Sequence, residues 1–180
     1  DNGADKAKRM IEFLMEGFSA EEMGFTLDEI KGGIENFVPT KDRMTIMRLE
    51  NGLTLLNDVY NSNPVSAKAS LDILKDVEGR SVAFLGFMGE LGEFAPQMHR
   101  EVGAYAAEKG IDLLICIGNH SDQMAAGAKD AGMLEVYRFD TQEEFWENGS
   151  DLLKKGDTIL LKASRSMGFE KTVEKLQGVK

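Results

Sequence analysis

Residues 57–64 read Asn-Asp-Val-Tyr-Asn-Ser-Asn-Pro, and six of the eight carry polar or aromatic side chains able to hydrogen-bond. The Asp58 carboxylate can accept two ribose hydroxyls, Asn61 and Asn63 can read an adenine edge, and Tyr60 offers a flat ring to a base. The same composition suits an Asx-rich turn that only caps a following helix, and composition alone does not separate the two. Residues 162–168, Lys-Ala-Ser-Arg-Ser-Met-Gly, combine two cations and two hydroxyls ahead of a helix. Lys162, Ser164 and Arg165 therefore make a natural site for a carboxylate or phosphate, favoured here over a solvated loop. Arg43 is a further lone cation that by itself reads as a surface arginine.

Residues 86–92, Gly-Phe-Met-Gly-Glu-Leu-Gly, hold three glycines in seven positions, which permits a ligand to approach the backbone. The run lacks a G-x-G-x-x-G, so it makes no dinucleotide claim of its own. His120 follows Gly118-Asn119 and reads as a helix-start residue; His99, beside Arg100 and Glu101, reads as a solvated surface histidine. Cys116 sits in the apolar run 113–117 and reads as core. The sequence shows no nucleophile–base arrangement, Walker A run, G-x-S-x-G elbow or metal-type His/Cys cluster. By composition and spacing it is an α/β domain with polar strand ends that bind a small anionic ligand.

These residues need elements to hold them. Apolar spacing predicts helices over 4–16 and 26–34, the second opened by a Thr26/Glu29 capping box. No strand signal occurs in the first forty residues, so a boundary is expected at 38–41, separating 1–40 from 41–180. Beyond it, Asn51-Gly52 between apolar runs at 45–49 and 53–56 predicts a hairpin in which both central residues tolerate positive φ. Strands at 81–85, 112–117, 136–139 and 158–161 then alternate with helices at 64–75, 97–109, 121–131, 141–154 and 169–176. Such alternation, with continuously apolar strands, implies a mainly parallel sheet with helices on both faces and an antiparallel hairpin at its edge. Ligands of such sheets gather at the carboxyl ends of the strands.

Composition narrows the function further. Of 180 residues, 42% are apolar, which supports a packed core; 31 acidic against 21 basic residues give a net charge of −10. That excess argues against non-specific binding to nucleic acid or an anionic membrane, which needs a basic face. One cysteine excludes an intramolecular disulfide and a zinc site of several thiolates. With no apolar run near the roughly 20 residues of a membrane span and no leader-like start, a cytoplasmic protein is expected.

Four segments taken together resemble the C-terminal domain of the Mur ligases, the ATP-dependent amide-forming enzymes of peptidoglycan synthesis. They are 36–44 (Asn-Phe-Val-Pro-Thr-Lys-Asp-Arg-Met), 57–64, 85–93 with His99 following, and 162–168. The closest likeness is to the branch that joins D-alanyl-D-alanine to UDP-N-acetylmuramoyl-tripeptide. The resemblance runs from about Phe25 to the end. It implies a Rossmann-like C-terminal domain at 41–180, preceded over 1–40 by a helical remnant of the central ATPase domain. It further implies that ATP phosphorylates the tripeptide carboxylate, that the dipeptide amine attacks the acyl phosphate, and that phosphate leaves. ATP and magnesium would be held mainly by the central domain, whose P-loop, metal ligands and modified lysine are absent from this sequence. The 180 residues alone would then be inactive.

Position by position, the resemblance makes Arg43 an arginine that approaches ATP phosphates, Asp58 the ribose ligand, and Tyr60, Asn61 and Asn63 the adenine neighbours. Lys162, Ser164 and Arg165 match the loop near the incoming dipeptide. His99 matches a recurrent position without an assigned role. Phe87 stands where the family usually has aspartate, Ala163 where it has glycine, and residues before Gly24 lack the expected central-domain pattern. Two other readings compete. One is a non-catalytic nucleotide-binding or regulatory α/β module; the other is a sister ligase, disfavoured because such enzymes carry histidine or lysine in the 60–64 run.

Overall fold

The computed structural model describes residues 24–26, 28–29, 31–32 and 42–178. The helix expected over 4–16, the boundary expected at 38–41 and the motif residues 36–41 lie outside the described residues. The chain divides into two compact units, residues 1–40 and 41–180. In the first, Asp28, Glu29, Lys31 and Gly32 are helical. The expected capping box is present: Thr26 N–H donates to Glu29 Oε2 at 3.0 Å, and Glu29 N–H donates to Thr26 Oγ1 at 3.3 Å.

The second unit runs β1 (Thr45–Arg48), β2 (Thr54–Asp58), α1 (Pro64–Leu74), β3 (Arg80–Gly86), α2 (Ala95–Glu108), β4 (Leu113–Ile117), α3 (Ser121–Asp130), β5 (Val136–Phe139), α4 (Gln142–Asn148), β6 (Asp157–Lys162) and α5 (Glu170–Gly178). The strands form one sheet in the order β1-β2-β6-β3-β4-β5. β1 pairs antiparallel with β2, and every other pairing is parallel. The sheet is therefore mainly parallel with an antiparallel edge, as the alternation implied.

Period-two alternation divides the sheet's side chains between two apolar layers. Ala83, Leu85, Leu114, Cys116 and Leu160 face α1, α2 and α3, packing with Leu71, Val102 and Met124. Val82, Phe84, Ile115, Ile159 and Leu161 face α4 and α5, packing with Phe145, Val173 and Leu176. The second layer is aromatic: Phe84 meets Phe145 and Phe169 edge-on, with centroids 4.8 and 5.4 Å apart. Burial on both faces explains why these strands read as continuous apolar runs. Cys116 is fully buried and its thiol pKa is pushed up by desolvation, as suits core packing. Among the described residues no helix is long and apolar enough to cross a membrane.

Two local expectations change. Within the hairpin, Gly52 alone of the Asn-Gly pair takes a positive φ, 88°. The Leu49 carbonyl accepts from Gly52 N–H at 3.0 Å, and Asn51 Oδ1 accepts from Leu53 N–H at 3.1 Å. The connection is thus a turn ending in a left-handed glycine, with Asn51 acting through its side chain. The helix expected over 141–154 stops at Asn148 and gives way to a 3₁₀ turn, Ser150–Leu152. Gly149 sits where a Cβ would come 2.4 Å from the Phe139 ring, so the backbone closes on that ring and leaves helical geometry at φ −129°. Thr141 still caps the start, its Oγ1 accepting from Glu144 N–H at 3.0 Å; Glu144 returns to Asp140 N–H instead of Thr141.

Candidate functional site

β2, β6 and β3 are parallel neighbours, so the chain leaves all three carboxyl ends side by side. In register, Asp58 lies opposite Lys162, and Lys162 opposite Leu85. The segments that follow, 60–63, 164–166 and 89–91, line one cleft of about 570 Å³. The 57–64, 86–92 and 162–168 runs singled out in the sequence thus contribute its three walls.

Beneath the cleft lies an ion pair. Lys162 is only 2% exposed; its Nζ donates to Asp58 Oδ2 at 2.5 Å and to the Asn61 carbonyl at 2.9 Å. Asp58 Oδ2 also accepts from Ser70 Oγ at 2.9 Å, and Oδ1 from Met44 N–H at 3.3 Å. A carboxylate has about four acceptor positions, so three are already filled. Lys162 was expected beside an incoming ligand. Instead it is the last residue of β6, does not line the cleft, and fixes the end of β2 and the backbone of Asn61.

Above that pair, two guanidinium groups rest on one ring. Arg43 Cζ lies 4.2 Å and Arg165 Cζ 5.0 Å from the Tyr60 centroid. Neither arginine makes an ion pair among the described residues. Cation–π contact holds each head group without neutralising it. Arg43 sits between Asp42 and Met44, both at positive φ (64° and 46°). That backbone is tied to β2: Tyr60 N–H donates to the Asp42 carbonyl at 3.0 Å, and Asn57 Nδ2 to Asp42 Oδ1 at 2.9 Å. Left-handed backbone in two non-glycine residues around one arginine is strain held by its surroundings, a feature concentrated at functional sites.

The glycine-rich wall is fixed from behind. His99, expected to be solvated, is fully buried. Its Nε2 accepts from Met88 N–H at 2.9 Å, so Nδ1 carries the proton and donates to the Ala95 carbonyl at 2.6 Å. Burial pushes its pKa below the usual histidine range, only partly offset by the Ala95 contact. Phe87 stacks on His99 (centroids 5.6 Å, 15° between planes), which an aspartate could not do. The Phe87 carbonyl accepts from Ser164 N–H at 2.8 Å and joins two cleft walls. His120 precedes α3 at φ 58° without capping it through its side chain; its ring lies 5.0 Å from that of His99.

Of the eight residues singled out, Tyr60, Asn61, Asn63, Ser164 and Arg165 line the cleft, Arg43 joins them through Tyr60, and Asp58 and Lys162 form its support. Asn63 also caps α1, Oδ1 accepting from Ser66 N–H at 2.8 Å, so the capping reading holds for that residue. Glu90 was missed. It lines the cleft at φ 63°, and its signal was present as the one charge between Gly89 and Gly92. Among the described residues no three His, Cys, Asp or Glu side chains gather to hold a metal ion. The two arginines on Tyr60 suit an organic ligand carrying negative charge.

Comparison with known proteins agrees in fold and family. A UDP-N-acetylmuramoyl-tripeptide–D-alanyl-D-alanine ligase of Bacillus subtilis is 30% identical over 156 residues, 85% of this chain and 34% of its own length. The enzyme of the same name from Haemophilus influenzae is 33% identical over 161 residues, 88% of this chain and 35% of its own. The chain thus spans about a third of the curated relatives it matches. A crystal structure of MurF from Acinetobacter baumannii superposes with a TM-score of 0.79 at 26% identity, covering 89% of this chain and 35% of that one. The family pattern described as Mur ligase, glutamate ligase domain, matches residues 42–165, which include every residue of the cleft but Ser166; the chain belongs to the Mur ligase family.

Proposed function

We propose that this chain is the C-terminal part of an ATP-dependent cytoplasmic ligase that joins D-alanyl-D-alanine to UDP-N-acetylmuramoyl-tripeptide in peptidoglycan synthesis. The observation that carries the reading is the single cleft at the carboxyl ends of β2, β6 and β3, with two un-neutralised arginines on one tyrosine. An acyl phosphate and a dipeptide carboxylate both need cationic partners, and a guanidinium serves each through paired N–H donors. Similarity to relatives of that name across more than four-fifths of the chain supports the same assignment.

In this reading Arg43 meets the ATP phosphates and offsets charge as the γ-phosphoryl passes to the tripeptide carboxylate. Asp58 reaches the ribose through Oδ1, its less engaged oxygen, while Asn61 and Asn63 lie by the adenine and Tyr60 aligns both arginines. Ser164 and Arg165 hold the dipeptide carboxylate, and Lys162 acts from below by fixing Asp58 and Asn61. The dipeptide amine attacks the acyl carbon, and the tetrahedral intermediate expels phosphate. Magnesium and the P-loop would belong to a preceding central domain, of which residues 1–40 are the tail; bound there, the ion would neutralise phosphate charge. The 180-residue chain therefore has no turnover alone. Phosphate release that depends on ATP, tripeptide and dipeptide is expected once the chain is joined to its upstream domains. Release by the chain alone would overturn the reading, as would a joined enzyme that ignores D-alanyl-D-alanine.

A further inference from the structure

Among the described residues Glu90 has no structural partner to explain it. It is exposed, and it makes no hydrogen bond or ion pair among the described residues. Its backbone is left-handed at φ 63°, where glycine is the undemanding choice and a side chain costs free energy. Neighbouring Gly89 and Gly92 show that the loop tolerates glycine, yet the strained position carries a carboxylate. Glu90 lines the cleft together with Arg165.

The two walls that carry these charges cannot drift freely. Ser164 N–H donates to the Phe87 carbonyl at 2.8 Å, and Met88 N–H is held by buried His99. Glu90 and Arg165 form no ion pair with each other although both line the cleft. Two such opposite charges, carried on walls tied to each other and unpaired among the described residues, match a small molecule bearing an ammonium at one end and a carboxylate at the other. A dipeptide's termini are separated by roughly 7 Å when extended, too far for one side chain and suited to two.

We propose that Glu90 binds the free ammonium group of the incoming dipeptide while Arg165 takes its carboxylate, so that the cleft selects a zwitterionic acceptor. This rests on the ligase reading above and adds the group that recognises the amine. The Glu90 carboxylate also holds the nitrogen near the acyl carbon; the pairing favours the protonated amine, and the carboxylate then takes one proton from the ammonium so that the freed amine attacks.

The test follows backbone amide shifts of the 180-residue chain during titration with three probes: D-alanyl-D-alanine, its N-acetyl derivative and its carboxyl-terminal amide. The dipeptide is expected to shift amides in 89–91 and 164–166, and each blocked form to bind about tenfold more weakly, as loss of one charge-assisted contact implies. Glu90→Gln is expected to weaken dipeptide binding about tenfold and to leave binding of the N-acetyl form unchanged. Glu90→Gly is expected to raise the thermal midpoint while losing the same affinity, a combination that a purely structural role cannot give. An N-acetyl form that binds as well as the dipeptide, or a Glu90→Gln chain that discriminates like the parent, overturns the Glu90 assignment and leaves the ligase reading standing. No response to the dipeptide at either wall overturns the Glu90 assignment too. The phosphate-release assay on the joined enzyme then judges the ligase reading separately.

Discussion

β6 carries a charge at each end, and the two ends are treated differently. At its amino end Asp157, 2% exposed, lies in register with Arg80 at the start of β3. Arg80 donates from Nε and Nη2 to the two carboxylate oxygens at 2.9 and 2.8 Å, and Lys154 N–H adds a third contact at 2.7 Å. The contact with Asp157 raises the Arg80 pKa further. At its carboxyl end Lys162 pairs with Asp58, yet Glu90 and Arg165 at the cleft and Arg43 on Tyr60 have no ionic partner among the described residues. Backbone strain divides in the same way. Among the described residues the non-glycine positions with positive φ are Asp42, Met44, Glu90 and His120, and all lie at the carboxyl edge. At one edge the buried carboxylate is answered and no described non-glycine residue takes a positive φ; the other holds open charges on strained backbone. Closed charge networks serve the fold, and charges left open at a cleft are available to a ligand.

The largest expected effect breaks the closed edge. Arg80→Met strands the buried Asp157 carboxylate and should cost about 4 kcal/mol of unfolding free energy, read by urea denaturation. Dipeptide-induced shifts at 89–91 and 164–166 should persist wherever the variant remains folded. If they vanish in the folded variant, the two edges are coupled and the division fails. Lys162→Met tests the support of the open edge. Asp58 retains Ser70 and Met44 N–H and is partly solvated, so the cost should fall to about 2–3 kcal/mol. Unlike Arg80→Met, it should also disturb the Asn61 wall, visible as altered amide shifts over 60–63 without ligand.

That Lys162 supports the site from below was not legible in the sequence, although its loop was. The apolar run 158–161 suggests a strand ending at Leu161, which leaves Lys162 to the loop. One more residue of strand turns the ammonium inward to Asp58. The Arg80–Asp157 pair spans 77 positions and depends on strand register, which hydropathy does not encode. His99 was masked by Arg100 and Glu101, because a helix presents adjacent residues to different faces. By contrast, β3, β4 and β6 and the polar runs after β2 and β6 were plain. Burial on both faces forces unbroken apolar strands, and a ligand-facing loop is free to be polar. The site's composition was readable; which of its residues face inward required the sheet.

His99 should give a smaller effect with a pH signature. Replacing it with leucine leaves Met88 N–H without a partner, whereas the Ala95 carbonyl keeps its helix bond, a cost of about 1–2 kcal/mol near neutral pH. Because burial lowers the folded pKa, the unfolded chain binds the proton more readily. The stability that neutral His99 contributes is complete above its ordinary value of 6.5 and is lost as pH falls from there through the lowered folded pKa. The gap between parent and His99→Leu should therefore narrow on acidification. A gap that widens would mean that His99 is protonated in the folded chain and that its role in holding Met88 is misassigned.

Arg165→Gln should have almost no effect on folding, and for that reason it sharpens the comparison most. The side chain is exposed and has no ionic partner, so removing its charge should change stability by less than about 0.5 kcal/mol. Its loss should weaken binding of D-alanyl-D-alanine by about tenfold or more. In the enzyme joined to its upstream domains, the KM for dipeptide should rise more than that for ATP, while Asp58→Ala should show the opposite order. The Asp58 variant must be compared at a temperature where it remains folded, because it strands Lys162. Equal changes in both constants for Arg165→Gln would mean that the two arginines on Tyr60 act on one anion together, not on separate substrates. A large loss of stability would mean that the charge is tied into the fold and that an open guanidinium does not mark the functional edge.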